Sequence, residues 1–259
     1  MAERGGGPES SRRELRPGRG GTTTATNRFR DDAMLPMLSD RQAHPAEEFR
    51  KVAVQLESRA RNAGRVLLVL SPLEGEGKTV TATNLALALA EKEGRRVLLV
   101  DLDLRRPRVE PFLLEQGRVG LADILRESAT IDGAVQDCRR EHLHVLTAGK
   151  SAGRSLSRLE PGRMAPLLRR LREEFDWIVG DCPPLLPFAE TRALATLAED
   201  IVLVVRAEQT PRSAVAEALA VIDEEKLAGL VLNAVPEGRW MRYGYRYAYR
   251  WREQGPAGS

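Results

Sequence analysis

The chain has 259 residues, of which 42% are hydrophobic and 30% charged, a balance that predicts one large α/β domain with tails. Its net charge is only +3, but basic residues are concentrated near both termini. Every apolar run is far shorter than the roughly 18–20 residues of a membrane span, and the N-terminus lacks the apolar centre of a signal peptide. We therefore expect a cytoplasmic protein.

The composition changes twice along the chain. Residues 1–43 are rich in Gly, Ser, Thr and Arg, which predicts a disordered N-terminal segment. A helix is expected to begin after Pro45, and the apolar pattern continues to Pro236. We predict a folded domain over residues 44–236, followed by a flexible tail over residues 237–259.

Within the predicted domain, apolar strands alternate with helices. Continuous apolar strands separated by helices favour a mostly parallel sheet with helices on both faces. The predicted strands are residues 65–70, 96–104, 143–149, 177–181, 201–205 and 227–235, and the main predicted helices are residues 79–94, 119–127, 164–174, 189–197 and 212–225.

A phosphate-binding loop follows the first predicted strand. The stretch "SPLEGEGKT" ends in Gly75, Glu76, Gly77, Lys78 and Thr79, between a buried strand and a helix. In such a loop the backbone N–H groups and the helix N-terminus hold phosphates, the lysine adds positive charge, and the threonine hydroxyl ligates Mg²⁺. Pro72 occupies the usual first glycine position, but the strand and helix around the loop still favour a P-loop NTPase fold.

Three aspartates lie where predicted strands end. Asp101 and Asp103 belong to "VLLVDLDLRRP", and Asp181 belongs to "FDWIVGDCPP". Ligands of open α/β sheets bind at the carboxyl ends of the strands. These aspartates are therefore candidate magnesium ligands and a candidate general base.

The three motifs together resemble the Walker motifs of the bacterial tyrosine kinases, the cytoplasmic kinase modules of capsule and exopolysaccharide export systems. The tail "RWMRYGYRYAYRWRE" adds to the resemblance, since it holds all four tyrosines of the chain: Tyr243, Tyr245, Tyr247 and Tyr249. The resemblance implies a Mg·ATP-dependent kinase that phosphorylates its own C-terminal tyrosines. It makes ATP and Mg²⁺ the expected cofactors.

The resemblance also assigns roles to single residues. Lys78 would hold the phosphates, while Thr79, Asp103 and Asp181 would organise the metal. Asp101 would accept the proton of an incoming tyrosine. The nucleotide-binding set would be the phosphate loop, Val80 after it, and Asn233 facing the adenine.

Several partners are implied in the same way. The family works with a transmembrane polysaccharide co-polymerase that recruits the kinase to the inner face of the cytoplasmic membrane, and with a cognate tyrosine phosphatase. A ring-like homo-oligomer is also implied, through an E-x-x-R-x-x-R pattern on the helix before the first strand. Here that pattern reads Glu47, Arg50, Ala53, so one arginine of the subunit contact is missing.

Three other functions remain open from the residues alone. A ParA- or MinD-like positioning ATPase would carry a lysine where this chain has Leu73. A nucleotide-binding scaffold of an export complex would need no turnover. An arginine- and tyrosine-rich tail is compatible with binding single-stranded nucleic acid, although nothing in the predicted domain requires nucleic acid and none is expected.

Overall fold

The computed structural model describes residues 34–60, 62–113, 119–138, 142–150 and 159–236. Seven strands form one sheet in the order β3-β4-β2-β5-β1-β6-β7, and all neighbouring strands are parallel except β3 and β4. The strands are β1 (Arg65–Leu70), β2 (Val97–Asp101), β3 (Gln136–Cys138), β4 (Leu143–Leu146), β5 (Trp177–Asp181), β6 (Asp200–Arg206) and β7 (Leu227–Asn233).

Helices cover both faces of this sheet, as the alternating pattern predicts. They are α1 (Pro36–Ser39), α2 (His44–Arg59), α3 (Lys78–Ala90), α4 (Val109–Leu113), α5 (Leu121–Leu125), α6 (Ile131–Ala134), α7 (Pro161–Arg172), α8 (Ala189–Ala195) and α9 (Arg212–Val221). One apolar core includes buried residues of α2 and α3, and the other includes buried residues of α5, α7, α8 and α9. The α/β fold with a mostly parallel sheet is thus confirmed. No helix in the described part of the chain is long and apolar enough to cross a membrane.

The helix that follows the phosphate loop is buried on all sides. Every residue of α3 from Thr81 to Ala90 is buried, because the helix lies between the sheet and α2. A helix that is apolar all round belongs in a core rather than at a surface. Its N-terminus is therefore held rigidly at the carboxyl end of β1.

Two features differ from the sequence prediction. Leu35 and Met37 are each 1% exposed, so the packed domain begins about ten residues before the predicted boundary at residue 44. Met37 belongs to the core beneath α2, and its N–H donates to Asn84 Oδ1 of α3. The short strand β3 pairs antiparallel with β4 and was not predicted, because three residues give too little alternation to detect.

The observed bounds of several helices and strands also differ from the predicted ones. The helix expected after Pro45 begins at His44, with the proline in its first turn, where the missing N–H costs nothing. The second strand ends at Asp101 rather than at residue 104, since the chain leaves the sheet at the first aspartate. The predicted tail over residues 237–259, including the four tyrosines, lies outside the described residues.

Candidate active site

The phosphate loop joins β1 to α3 through two glycines with left-handed backbone. Gly75 has φ +77° and Gly77 has φ +97°. A Cβ on Gly77 would lie 2.0 Å from Asn233 Nδ2, whereas a Cβ on Gly75 would meet nothing within 4 Å. Position 77 therefore requires glycine for its backbone angle and for its close contact with the end of β7.

The N-terminus of α3 makes this loop a site for anions. Gly77 is the N-cap and supplies no side-chain acceptor to the first N–H groups of the 13-residue helix. Lys78 is only 8% exposed, and its Nζ donates to Ser71 Oγ at 3.1 Å, which holds the ammonium group beside the loop. Free N–H groups, the positive end of the helix dipole and a fixed lysine together favour bound phosphate.

Thr79 and Asp181 bring two of the predicted motifs into contact. Thr79 Oγ1 donates to Asp181 Oδ2 at 2.6 Å, although the residues are 102 positions apart. Asp181 is 1% exposed, and its other oxygen, Oδ1, has no partner among the described residues. Burial raises the pKa of Asp181 to about 7, while the Thr79 hydrogen bond and the charge of Lys78 oppose that rise.

This pair fits the donor chemistry of Mg²⁺. The ion prefers oxygen ligands, binds through one or two carboxylates, and keeps several waters besides the oxygens of a nucleotide. An unpartnered buried carboxylate oxygen beside a threonine hydroxyl supplies suitable groups. No group of three or more His, Cys, Asp or Glu side chains in the described residues forms a metal cage of its own.

Asp101 lies directly opposite Asp181 on the neighbouring strand β2. It is fully buried, and both of its oxygens accept backbone N–H groups: Oδ1 from Asp103, and Oδ2 from Arg108 and Val109, at 3.0–3.1 Å. Burial and the nearby charge of Asp181 raise the pKa of Asp101. The carboxylate therefore faces the inside of its own loop, whereas the sequence interpretation placed it beside an incoming hydroxyl.

Asp103 is the more accessible of the two aspartates on this loop. Its side chain is partly exposed, and Oδ1 accepts the N–H groups of Arg105 and Arg106 at 3.2 and 3.0 Å. The same loop is tied to its surroundings by ion pairs from Arg105 to Glu190 and from Arg106 to Glu74. The loop after β2 is thus pinned to the phosphate loop and to α8.

Asn233 and Glu76 meet behind the phosphate loop. Asn233 Nδ2 donates to the Glu76 carbonyl oxygen at 2.9 Å, so the end of β7 contacts the loop directly. The Glu76 side chain is 3% exposed and accepts hydrogen bonds from Leu73 N and Thr210 Oγ1. The buried Glu76 side chain therefore stabilises the conformation of the loop. Val80 lies partly buried in the first turn of α3.

Sequence reasoning missed three residues of this site. Ser71 binds Lys78, Thr210 binds Glu76, and Arg206 Nη1 donates to the Gly75 carbonyl oxygen at 2.9 Å. Arg206 ends β6 and Thr210 lies in the connection that follows it, and each is more than 130 positions in sequence from its partner in the loop. Ser71 could have been noticed as the first polar residue after β1, but the other two carry no local signal.

Comparison with known proteins identifies the family. Residues 65–228 match the family model described as AAA domain. The chain is 31% identical over 204 residues to the tyrosine-protein kinase YwqD of Bacillus subtilis (strain 168), which covers 77% of this chain and 85% of that protein. It is 30% identical over 217 residues to the succinoglycan biosynthesis transport protein ExoP of Rhizobium meliloti (strain 1021), covering 79% of this chain but 28% of ExoP.

Solved structures agree with these matches. The kinase domain of VpsO is 30% identical, with a TM-score of 0.62, and covers 75% of this chain and 100% of that chain. A cobyrinic acid a,c-diamide synthase from Mycobacterium smegmatis, solved with an ATP analogue and magnesium, is 28% identical, with a TM-score of 0.54, and covers 64% and 72% of the two chains. With its phosphate loop, its Thr79–Asp181 contact and these relatives, the chain belongs to the bacterial tyrosine kinase family of AAA-domain P-loop proteins.

Proposed function

We propose that this chain is a protein-tyrosine kinase that transfers the γ-phosphoryl group of Mg·ATP to tyrosines in its own C-terminal segment. The observation that carries this proposal is the contact between Thr79 and Asp181, which joins the phosphate loop to the acidic end of β5. The acceptors would be Tyr243, Tyr245, Tyr247 and Tyr249, the only tyrosines of the chain.

Different residues of the site would bind the nucleotide phosphates and the metal ion. The N–H groups at the start of α3 and the Lys78 ammonium would hold the phosphates of the nucleotide. Thr79, Asp181 and Asp103 would hold Mg²⁺, and Oδ1 of Asp181 is the oxygen without a partner among the described residues. When bound, the metal neutralises charge that develops on the phosphate oxygens.

The remaining groups would orient the reactants. Asn233, which reaches the phosphate loop from β7, is the proposed contact to the adenine. Asp101 as the proton acceptor remains a proposal with a structural condition: its carboxylate is fully buried, so a tyrosine hydroxyl reaches it only if the loop that covers it moves. Asp103 is already partly exposed, so it is the carboxylate that an arriving segment would meet first.

The relatives support a proposal about the partners of this chain. ExoP is named a biosynthesis transport protein, and only a segment of it corresponds to this chain. We propose that this kinase acts with a membrane-spanning co-polymerase, at the inner face of the cytoplasmic membrane, in capsule or exopolysaccharide export. A cognate phosphatase would reverse the modification.

A ring-like homo-oligomer is also part of this proposal. Arg50 of α2 pairs with Glu91 at 2.7 Å within the same subunit and also donates to the Arg41 carbonyl oxygen. Ala53, one turn later, is 6% exposed and packs into the core. A ring would therefore need subunit contacts from other residues as well.

The test is phosphorylation of the purified full chain with labelled Mg·ATP, in the presence of a co-expressed activator fragment. We expect label on tyrosine in the wild type, and none in Lys78→Met or in the variant with all four tyrosines changed to phenylalanine. Lys92→Met is the matched control, since Lys92 is exposed and away from the loop. Label on serine or threonine would contradict the tyrosine kinase, and no label with any activator would favour a scaffold.

A further inference from the structure

The strand β7 forms an open edge of the sheet. It pairs with β6 on one side, and no described residue pairs with its other side. Asn233 turns its carbonyl toward the β6 side, where it accepts the Ala207 N–H at 2.8 Å. Because successive residues of a strand alternate, the N–H and C=O groups of Leu232 and Leu230 point outward from the sheet.

This edge is apolar as well as unpaired. The side chains of Leu230 and Leu232 are 52% and 59% exposed. Proteins normally protect a long apolar edge with charges, prolines, bulges or a covering segment. The strand has no charged residue and no proline, and the irregularity in its pairing with β6 lies between Leu227 and Gly229, before Leu230. At Leu230 and Leu232 the edge therefore has none of these protections, and a covering segment is the one that remains.

Only a short stretch of chain connects this edge to the C-terminal segment. Residue 237 follows the end of β7 by only four positions, so a short turn would return the chain along the strand. Residues 239–252 alternate between two kinds of side chain. One set is Met241, Tyr243, Tyr245, Tyr247, Tyr249 and Trp251, and the other holds four of the five arginines of this stretch. Such alternation is typical of a strand with one apolar and one charged face, and the stretch contains no proline.

The charges near β7 and the short connection together favour an antiparallel direction for this segment. The turn before β7 carries Asp223, Glu224 and Glu225, all exposed and without an ion pair to another described residue. A segment that returned antiparallel to β7 would begin beside Asn233 and bring its later arginines, Arg246 and Arg250, toward these acids. A parallel path would need a crossover connection of about a dozen residues or more, and residues 234–238 are too few for one.

We propose that residues 239–249 of the same chain add to β7 as an antiparallel edge strand, held by main-chain pairing at Leu230 and Leu232 and by the acidic turn at 223–225. The segment that carries the tyrosines would then have a resting site away from the phosphate loop. This docking does not depend on the proposed kinase activity. If the tyrosines are phosphorylated, each adds about −1.5 to −2 charges near the acidic turn, and the segment is released.

The test is hydrogen exchange of the full chain without nucleotide, read at the amides of Leu230 and Leu232. We expect both amides to exchange at least about tenfold more slowly than in a chain ending at Gly238, since strand addition gives each of them a partner. Asp223→Asn/Glu224→Gln/Glu225→Gln should remove much of this protection. Glu93→Gln/Glu127→Gln/Glu173→Gln changes the net charge equally at other exposed sites and should not.

Two outcomes would overturn the proposal. Equal exchange in the full and shortened chains would mean that the segment does not cover β7. Protection that disappears on dilution would mean that the segment of a second copy covers it instead. Because no ATP is present, neither outcome bears on whether the chain is a kinase.

Discussion

Thr79 Oγ1 lies 2.6 Å from Asp181 Oδ2, so the first turn of α3 is joined by a hydrogen bond to the carboxyl end of β5. We expect Thr79→Val to lower the phosphorylation rate by about 10- to 100-fold, as is usual when groups that organise a metal site are lost. Thr79→Ser keeps the hydroxyl and should stay within a few-fold of wild type. Initial rates measured over a Mg²⁺ titration check this. Equal rates for the valine and serine variants would count against a metal-organising role for the hydroxyl.

The two loop glycines should tolerate alanine to different degrees. Gly77→Ala combines a left-handed backbone with a Cβ placed 2.0 Å from Asn233 Nδ2, so we expect loss of nucleotide binding and of at least about 1 kcal/mol of stability. Gly75→Ala has only the backbone strain, because its Cβ would meet open space, and it should be milder. Nucleotide titration and thermal unfolding of both variants give the comparison. If Gly75→Ala lowers nucleotide binding and stability as much as Gly77→Ala does, the contact with Asn233 does not explain the need for glycine at position 77.

Substitutions of Asp101 and Asp103 should differ in their effect on the free energy of unfolding. Asp101→Asn places an amide among three N–H donors in a buried site, so we expect it to lower the free energy of unfolding by roughly 1–3 kcal/mol as well as the activity. Asp103→Asn keeps the oxygen that accepts from Arg105 and Arg106, and it should lower activity with little loss of stability. Denaturant unfolding and kinase rates, measured on the same preparations, distinguish the two. A fully stable Asp101→Asn would mean that its carboxylate is not needed to hold the loop.

His144 should make the fold sensitive to mild acid. Burial lowers the pKa of His144 below its ordinary value of 6.5, and the charge of Arg96 lowers it further, while Asp137, 3.0 Å away, opposes the shift. The unfolded chain therefore binds a proton at higher pH than the folded chain, and the contribution of neutral His144 to stability is lost as the pH falls below 6.5.

Unfolding curves at several pH values check this expectation. In His144→Gln, stability should decline less steeply than in the wild type as the pH falls below 6.5. Asp137→Asn should steepen it, because the opposing charge is removed. A His144→Gln variant with the same pH dependence as wild type would assign the effect to other groups.

Much of this protein could be predicted from its sequence because the relevant signals are local. Continuous apolar runs predict a parallel sheet with helices on both faces, and "GEGKT" between a strand and a helix predicts a phosphate loop. Asp101, Asp103 and Asp181 were expected at the carboxyl ends of strands, since they follow apolar runs. The spacing of apolar residues and the short motifs depend only on residues close together in the chain. For that reason they can be recognised from the sequence alone.

The tertiary structure decided which atoms meet and which way they face. That Thr79 bonds to Asp181, that Asn233 packs on Gly77, and that Arg206 and Thr210 support the loop all depend on contacts between distant segments. The inward orientation of Asp101 depends on where the loop after β2 returns its N–H groups. Sequence pattern places a side chain at the end of a strand, but only the packing of the surrounding chain determines what that side chain can reach.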